Sequence, residues 1–141
     1  MEEKTTTVTE SQVETKAFEF PSGIFGFPMV KRYVIAEVPG GGDIFKQMIA
    51  LDQPDLGFTL VSPFAFFPDY APDIPDEELA ELEPADGSQV ILMAIATVPE
   101  NIKEATANLR APVLFNPFTR KGRQVILADD RYPTRARLVK A

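Results

Sequence analysis

From residue 16 onward, short apolar stretches alternate with breaks containing Pro or Gly at steps of about ten residues, the spacing of an all-β sandwich or barrel. Strands are predicted over residues 17–20, 31–38, 44–51, 58–61, 89–98, 104–109 and 123–128. The stretch 89–98 is apolar on both alternating faces, with Ile91, Met93 and Ile95 on one and Val90, Leu92, Ala94 and Val98 on the other. Such a strand belongs in the middle of a sheet covered on both sides. Residues 44–51 also satisfy a helical spacing through Ile44 with Met48 and Phe45 with Ile49. They read as strand because Asp52 and Pro54 end the run too early for an independent helix. One short helix is predicted over residues 75–82, where Pro75 opens it, Asp76 to Glu78 complement its positive dipole end, and Leu79 and Leu82 form an inward stripe. Thr119 to Gly122 reads as a hairpin turn in which Gly122 supplies the positive φ. Residues 1–15 hold little that could offset the entropy of ordering them, and are expected to be a flexible tail or, through Thr5, Thr6, Thr7 and Val8, an added edge strand. The remainder, 16–141, is expected to be a single domain.

Composition narrows the chemistry. The chain has 141 residues, 45% of them hydrophobic with 11 Phe, and a formal net charge of -7. With 0 Cys and 0 His, it cannot run Ser-His-Asp or Cys-His catalysis, bind zinc through Cys or His, ligate haem through His, or form disulfides. No apolar run reaches the roughly 18 residues a membrane helix needs, and the polar start does not resemble a signal peptide, so the expected compartment is the cytoplasm.

Charge is segregated: residues 1–100 carry 5 basic and 18 acidic side chains, and residues 101–141 carry 9 and 3. Two outcomes are open. Arg120, Lys121, Arg123, Arg131, Arg135 and Arg137, with Phe118 and Tyr132 among them, could form a patch for RNA or DNA. Alternatively the basic carboxy-terminal strands lie beside the acidic loop 69–86 and the charges neutralise internally. An acidic chain repels phosphate over most of its surface, so direct nucleic-acid binding is not expected and a protein partner is favoured.

Asp52 and Asp55 in LDQPDLGF form a carboxylate pair on paper, and with Asp69 they define the alternative of a carbohydrate- or nucleotide-acting enzyme; turn composition explains the pair better. Asp73, Asp76, Glu77 and Glu78 lack the alternating oxygen ligands and central Gly of a calcium loop, and Gly23 to Phe27 fits no phosphate-binding pattern. Residues 62–70, SPFAFFPDY, crowd Phe64, Phe66, Phe67 and Tyr70 into a segment that its prolines make a poor central strand. These rings either plug the core or offer a docking patch.

Taken together, FPSGIFGF (20–27), LDQPDLGFTLVSP (51–63), FPDY (67–70), ATANLRAPVLFN (105–116), RQVIL with DDRY (123–132) and Arg135 resemble, in order and spacing, the bacterial flagellar assembly factor family, FliW. Departures from the family pattern at Ser62, Ala107, Leu114 and Phe115 are mild. The resemblance implies a small antiparallel β-barrel-like domain without catalytic activity or cofactor, monomeric when free. It also implies two protein partners, flagellin and the translational repressor CsrA, such that flagellin level is coupled to flagellin translation. Candidate partner contacts are Phe66, Phe67, Asp69, Tyr70, Glu78, Glu81, Asn108 and Arg110. For Asn108 and Arg110 the competing reading is structural: a satisfied strand end and an ion pair with the acidic loop.

Overall fold

Side chains alternate across a strand, so a strand with large apolar groups at every position needs cover on both faces. This requirement shapes the molecule. The computed structural model describes residues 17–84 and 90–139; the tail or edge strand expected over residues 1–15 and the start of the predicted strand at Gln89 lie outside them. The described strands are β1 (Ala17–Glu19), β2 (Arg32–Glu37), β3 (Phe45–Ala50), β4 (Gly57–Val61), β5 (Ile91–Thr97), β6 (Thr106–Ala107), β7 (Val113–Asn116), β8 (Lys121–Gln124) and β9 (Ala136–Arg137). Two short helices, α1 (Pro63–Phe66) and α2 (Asp76–Ala80), lie between β4 and β5.

Seven strands close into a barrel in the order β4-β3-β2-β1-β8-β7-β5, and β5 returns to β4 through the pairs Thr59 with Ala96 to Val61 with Ala94. Beyond β5 the sheet continues through β6 to β9. All these pairings are antiparallel except β1 with β8, a parallel contact at Glu19 and Lys121 supported by a 2.8 Å hydrogen bond from Glu19 N–H to the Arg120 carbonyl.

Two hydrophobic cores lie on opposite faces of the same strands. Phe18, Phe20, Tyr33, Met48, Leu60, Met93, Val113 and Phe115 fill the barrel. Val61, Ala94, Ala96 and Leu114 point the other way, into a second core closed by Tyr70, Leu82, Leu109, Val125 and Leu127, with Phe66, Phe67 and Leu79 packed against it. The two-faced pattern of residues 91–97 is therefore satisfied by the barrel interior on one side and by the helical segment and the carboxy-terminal chain on the other.

Several expectations need correction. SPFAFF contains a helix, α1, with Ser62 as N-cap residue and Pro63 in the first turn, so the described residues hold two short α-helices rather than one. The predicted strand 104–109 is a 3-10 turn at Ile102–Glu104 followed by the two residues of β6. β7 was hidden because Pro112 and Pro117 bracket four buried residues and read as breaks. β9, only two residues long, gave no periodic signal. β8 begins two residues earlier than predicted, and Gly122 lies within it. The positive φ of the turn belongs to Arg120, at 63°.

Gly122 is required for a different reason. A Cβ there would stand 2.3 Å from Cζ of Phe20, in the barrel interior, so the absence of a side chain makes room for the ring. Gly122→Ala is expected to cost about 1–3 kcal/mol by overpacking. Phe20→Leu should relieve part of it, so that the double variant melts above the temperature additivity gives from the two single ones; thermal denaturation of all four proteins checks this.

Candidate functional site

The acidic helix α2 has Pro75 as its N-cap residue and carries Asp76, Glu77 and Glu78 in its first turn. Leu79 packs on the outer core, and Leu82, just past the helix, is buried in it. The Leu82 carbonyl accepts from two side chains of the β7–β8 turn, Asn116 Nδ2 at 3.1 Å and Thr119 Oγ1 at 2.8 Å. Asn116 is fully buried, and its Oδ1 accepts from the Phe118 and Thr119 backbone N–H groups, so the same side chain shapes the turn and holds the end of the helical segment.

This seat brings opposite charges together. Arg123 on β8 donates from Nε to Glu78, and its Nη1 donates to Glu81 at 3.3 Å and to Ser22 Oγ at 3.0 Å. The hydrogen bond to Glu78 raises the Arg123 pKa further above its ordinary value, with the charges of Glu78 and Glu81 adding to it. Internal neutralisation between the acidic segment and a basic carboxy-terminal strand is thus realised at this point.

The aromatic segment takes a second post. Tyr70 is 5% exposed; its hydroxyl donates to the Leu109 carbonyl at 2.7 Å, and its ring meets Tyr132 edge-on at 4.9 Å. Burial pushes the Tyr70 phenol well above the ordinary tyrosine range, with the neighbouring Tyr132 adding in the same direction. Phe66 and Phe67 are half-buried, Phe66 against Phe45, while Asp69 is exposed. Asn108 Oδ1 accepts from the N–H groups of Arg110 and Ala111, both at 3.0 Å, and Arg110 Nε donates to the Leu127 carbonyl at 3.3 Å. Asn108 therefore satisfies backbone groups as its structural reading expects, and Arg110 bonds to a main-chain carbonyl.

The candidate residues thus form two groups on one outer core. Phe66, Phe67 and Tyr70 join the 108–110 turn through the Tyr70–Leu109 bond, while Glu78 and Glu81 join β8 through Arg123. Asn116, Thr119 and Ser22 complete these links and are not among the candidate contacts; no local pattern in the sequence points from Asn116 to its partner 34 residues away.

Four other cations of the candidate patch each have a partner of their own. Arg131 binds Asp129 at 2.6 Å, Lys121 lies 4.0 Å from Glu19, Arg137 donates to the Lys103 carbonyl at 2.9 Å, and the Arg120 guanidinium sits 4.9 Å above the Phe18 ring. Asp52 meets Arg32 at 3.4 Å, and among the described residues no group of three or more His, Cys, Asp or Glu is arranged to hold a metal. No helix among them is long and apolar enough to cross a membrane.

A closed β-barrel with a helical cover, its polar surface segments pinned to the strands, defines the class. The chain belongs to the FliW family: the family model described as FliW protein matches residues 2–138. A protein of Symbiobacterium thermophilum called flagellar assembly factor FliW is 64% identical over 118 residues, covering 84% of this chain and 86% of that one. Proteins of the same name from Moorella thermoacetica and Geobacillus thermodenitrificans are 41% and 37% identical, covering 86% and 89% of this chain and 77% and 85% of theirs. A crystal structure of the flagellar assembly factor FliW superposes with a TM-score of 0.85 at 33% identity, covering 96% of this chain and 92% of that one.

Removing the Tyr70 hydroxyl leaves the Leu109 carbonyl without that donor, so Tyr70→Phe is expected to cost about 1–3 kcal/mol at neutral pH. Because folding raises the Tyr70 pKa, the neutral phenol's contribution is complete below the ordinary tyrosine pKa of about 10 and is lost as pH rises through the folded value. Thermal melts from about pH 9 to about pH 11 should show an alkaline decline in the wild type that is shallower in Tyr70→Phe.

Proposed function

We infer that this protein is a non-enzymatic cytoplasmic flagellar assembly factor that binds flagellin and antagonises the translational repressor CsrA. The observation that carries this reading is the family match across residues 2–138 together with 64% identity to a protein called flagellar assembly factor. Two physical features support it. With neither His nor Cys, the chain lacks the commonest nucleophilic and metal-based machinery, and its net charge of -7 suits a partner whose RNA-binding face is basic.

The regulatory logic is mass action. Flagellin occupancy lowers the concentration of factor available to CsrA; when secretion depletes flagellin, freed factor sequesters CsrA and translation of flagellin resumes. Neither step needs a cofactor. Contacts are assigned to the accessible parts of the two groups described above: Phe66, Phe67 and Asp69, with Tyr70 behind them; Glu78 and Glu81; and Asn108 with Arg110. The engagement of Arg120, Lys121, Arg123, Arg131 and Arg137 by carboxylates, a carbonyl or a ring favours this reading over an RNA-binding strip along the carboxy-terminal strands.

The test is a competition. Immobilised protein should capture purified CsrA and purified flagellin of its own organism at moderate salt, and added flagellin should lower the amount of CsrA retained. Capture of neither partner overturns the reading. Capture of RNA instead, weakening steeply as salt rises, replaces it with the nucleic-acid alternative.

A further inference from the structure

The segment between β1 and β2 holds an aromatic ring out in solvent on a closely fixed turn. Phe25 is 76% exposed, yet its backbone N–H donates to Gln124 Oε1 at 2.7 Å, and Gln124 Nε2 donates in turn to the Ala111 carbonyl at 3.0 Å. Ile24, buried in the barrel core, anchors the turn from below, and Phe27 N–H closes it on the Ile24 carbonyl at 2.6 Å. Gly23 has φ +70°, and a Cβ there would lie 2.6 Å from the Phe27 carbonyl oxygen, so the backbone path needs glycine. An exposed Phe whose backbone is held this way has had its ordering cost met before any partner arrives.

Beside it runs an open groove of about 430 Å³, lined by uncharged residues including Ser22, Phe25, Pro28, Gln124 and Ile126. Ile126 is 57% exposed. One wall abuts the acidic segment: Arg123 Nη1 donates both to Ser22 Oγ on the groove and to Glu81, whose side chain is 55% exposed. Residues 76–83 carry five carboxylates, and Arg123 is already shared between two of them, which leaves that flank negative. At the near end of the turn the Lys31 ammonium is engaged by the Pro21 carbonyl at 2.7 Å.

We propose that the groove between Phe25 and Ile126 is a docking site for a polypeptide segment that presents an apolar side chain flanked by Lys or Arg. The apolar anchor fills the groove against Phe25 and Ile126, and the basic flank meets Glu81 and the carboxylates of α2. Neither apolar residue is among the contacts assigned above. The proposal rests on the reading that the chain works by gripping polypeptides, but not on which ones.

The probe is a phage-displayed library of random linear peptides selected on the full chain. Enriched peptides should combine an apolar residue with neighbouring Lys or Arg and bind the wild type and Phe118→Ser alike, Phe118 being an exposed ring on the β7–β8 turn. Phe25→Ser and Ile126→Ser should each weaken them about tenfold or more, as loss of an interface anchor does, with thermal melts unchanged because both side chains are largely in solvent. Failure to enrich any peptide, enrichment of acidic ones, or binding indifferent to both substitutions overturns the proposal. So does self-association in sedimentation that Ile126→Ser abolishes, since a second copy would then be the occupant. Because neither flagellin nor CsrA is used, a negative result here leaves the competition experiment to decide the functional reading on its own.

Discussion

A buried main-chain carbonyl must find donors, and for Leu82 they come from the β7–β8 turn: Asn116 Nδ2 and Thr119 Oγ1 both point at it. Without that tie, the short acidic helix would be held, among the described residues, by the packing of Ile74, Leu79 and Leu82 and by the Arg123 ion pairs. A five-residue helix has little stability of its own, so its position is set by what receives its end. The neighbouring features depend on the seat: the Arg123 cluster with Glu78, Glu81 and Ser22, and the negative flank of the groove.

The seat exists because β4, β5 and β7 are apolar on both faces. Closing a barrel buries one face, and the other must be covered by something outside it. The chain supplies α1, the Tyr70 loop, α2 and the carboxy-terminal stretch through Val125, Leu127 and Ala136. Covering a sheet with short, irregular segments leaves many main-chain groups to satisfy. The structure answers with side-chain bonds of long sequence reach: Tyr70 to Leu109, Asn116 to Leu82, Gln124 to Ala111 and to the N–H of Phe25. The surface assigned to partners under the proposed function is built from segments bonded to the barrel, which suits recognition with little ordering cost.

This also explains what could be read from the chain. Residues 89–98 announced a strand covered twice because their apolar groups ignore alternation, and the Leu79–Leu82 stripe announced an inward helix face. β7 stayed hidden between two prolines, and Gly122 signalled a special backbone while concealing the cause, since the Phe20 ring that needs its space is distant in sequence. Opposite charges at residues 69–86 and 123 were visible, but which pairs meet depends on a barrel register that no local pattern carries. In the sequence Phe25 stands only in a Gly-rich stretch that fits no phosphate-binding pattern; that its ring faces solvent follows from Ile24 taking the core position beside it.

The central claim is that the buried amide of Asn116 seats the acidic helix on the barrel. Hydrogen–deuterium exchange of Asn116→Leu against wild type tests it most directly, because the swap fills the same buried position while removing the amide's bonds to the Leu82 carbonyl and to the Phe118 and Thr119 N–H groups, with Thr119 Oγ1 left in place. The account predicts amide exchange at Glu78, Leu79 and Leu82 faster by about tenfold or more, with β2 and β3 unchanged. Equal rates over residues 78–82 in the two proteins, or uniform acceleration across the whole barrel, would contradict it.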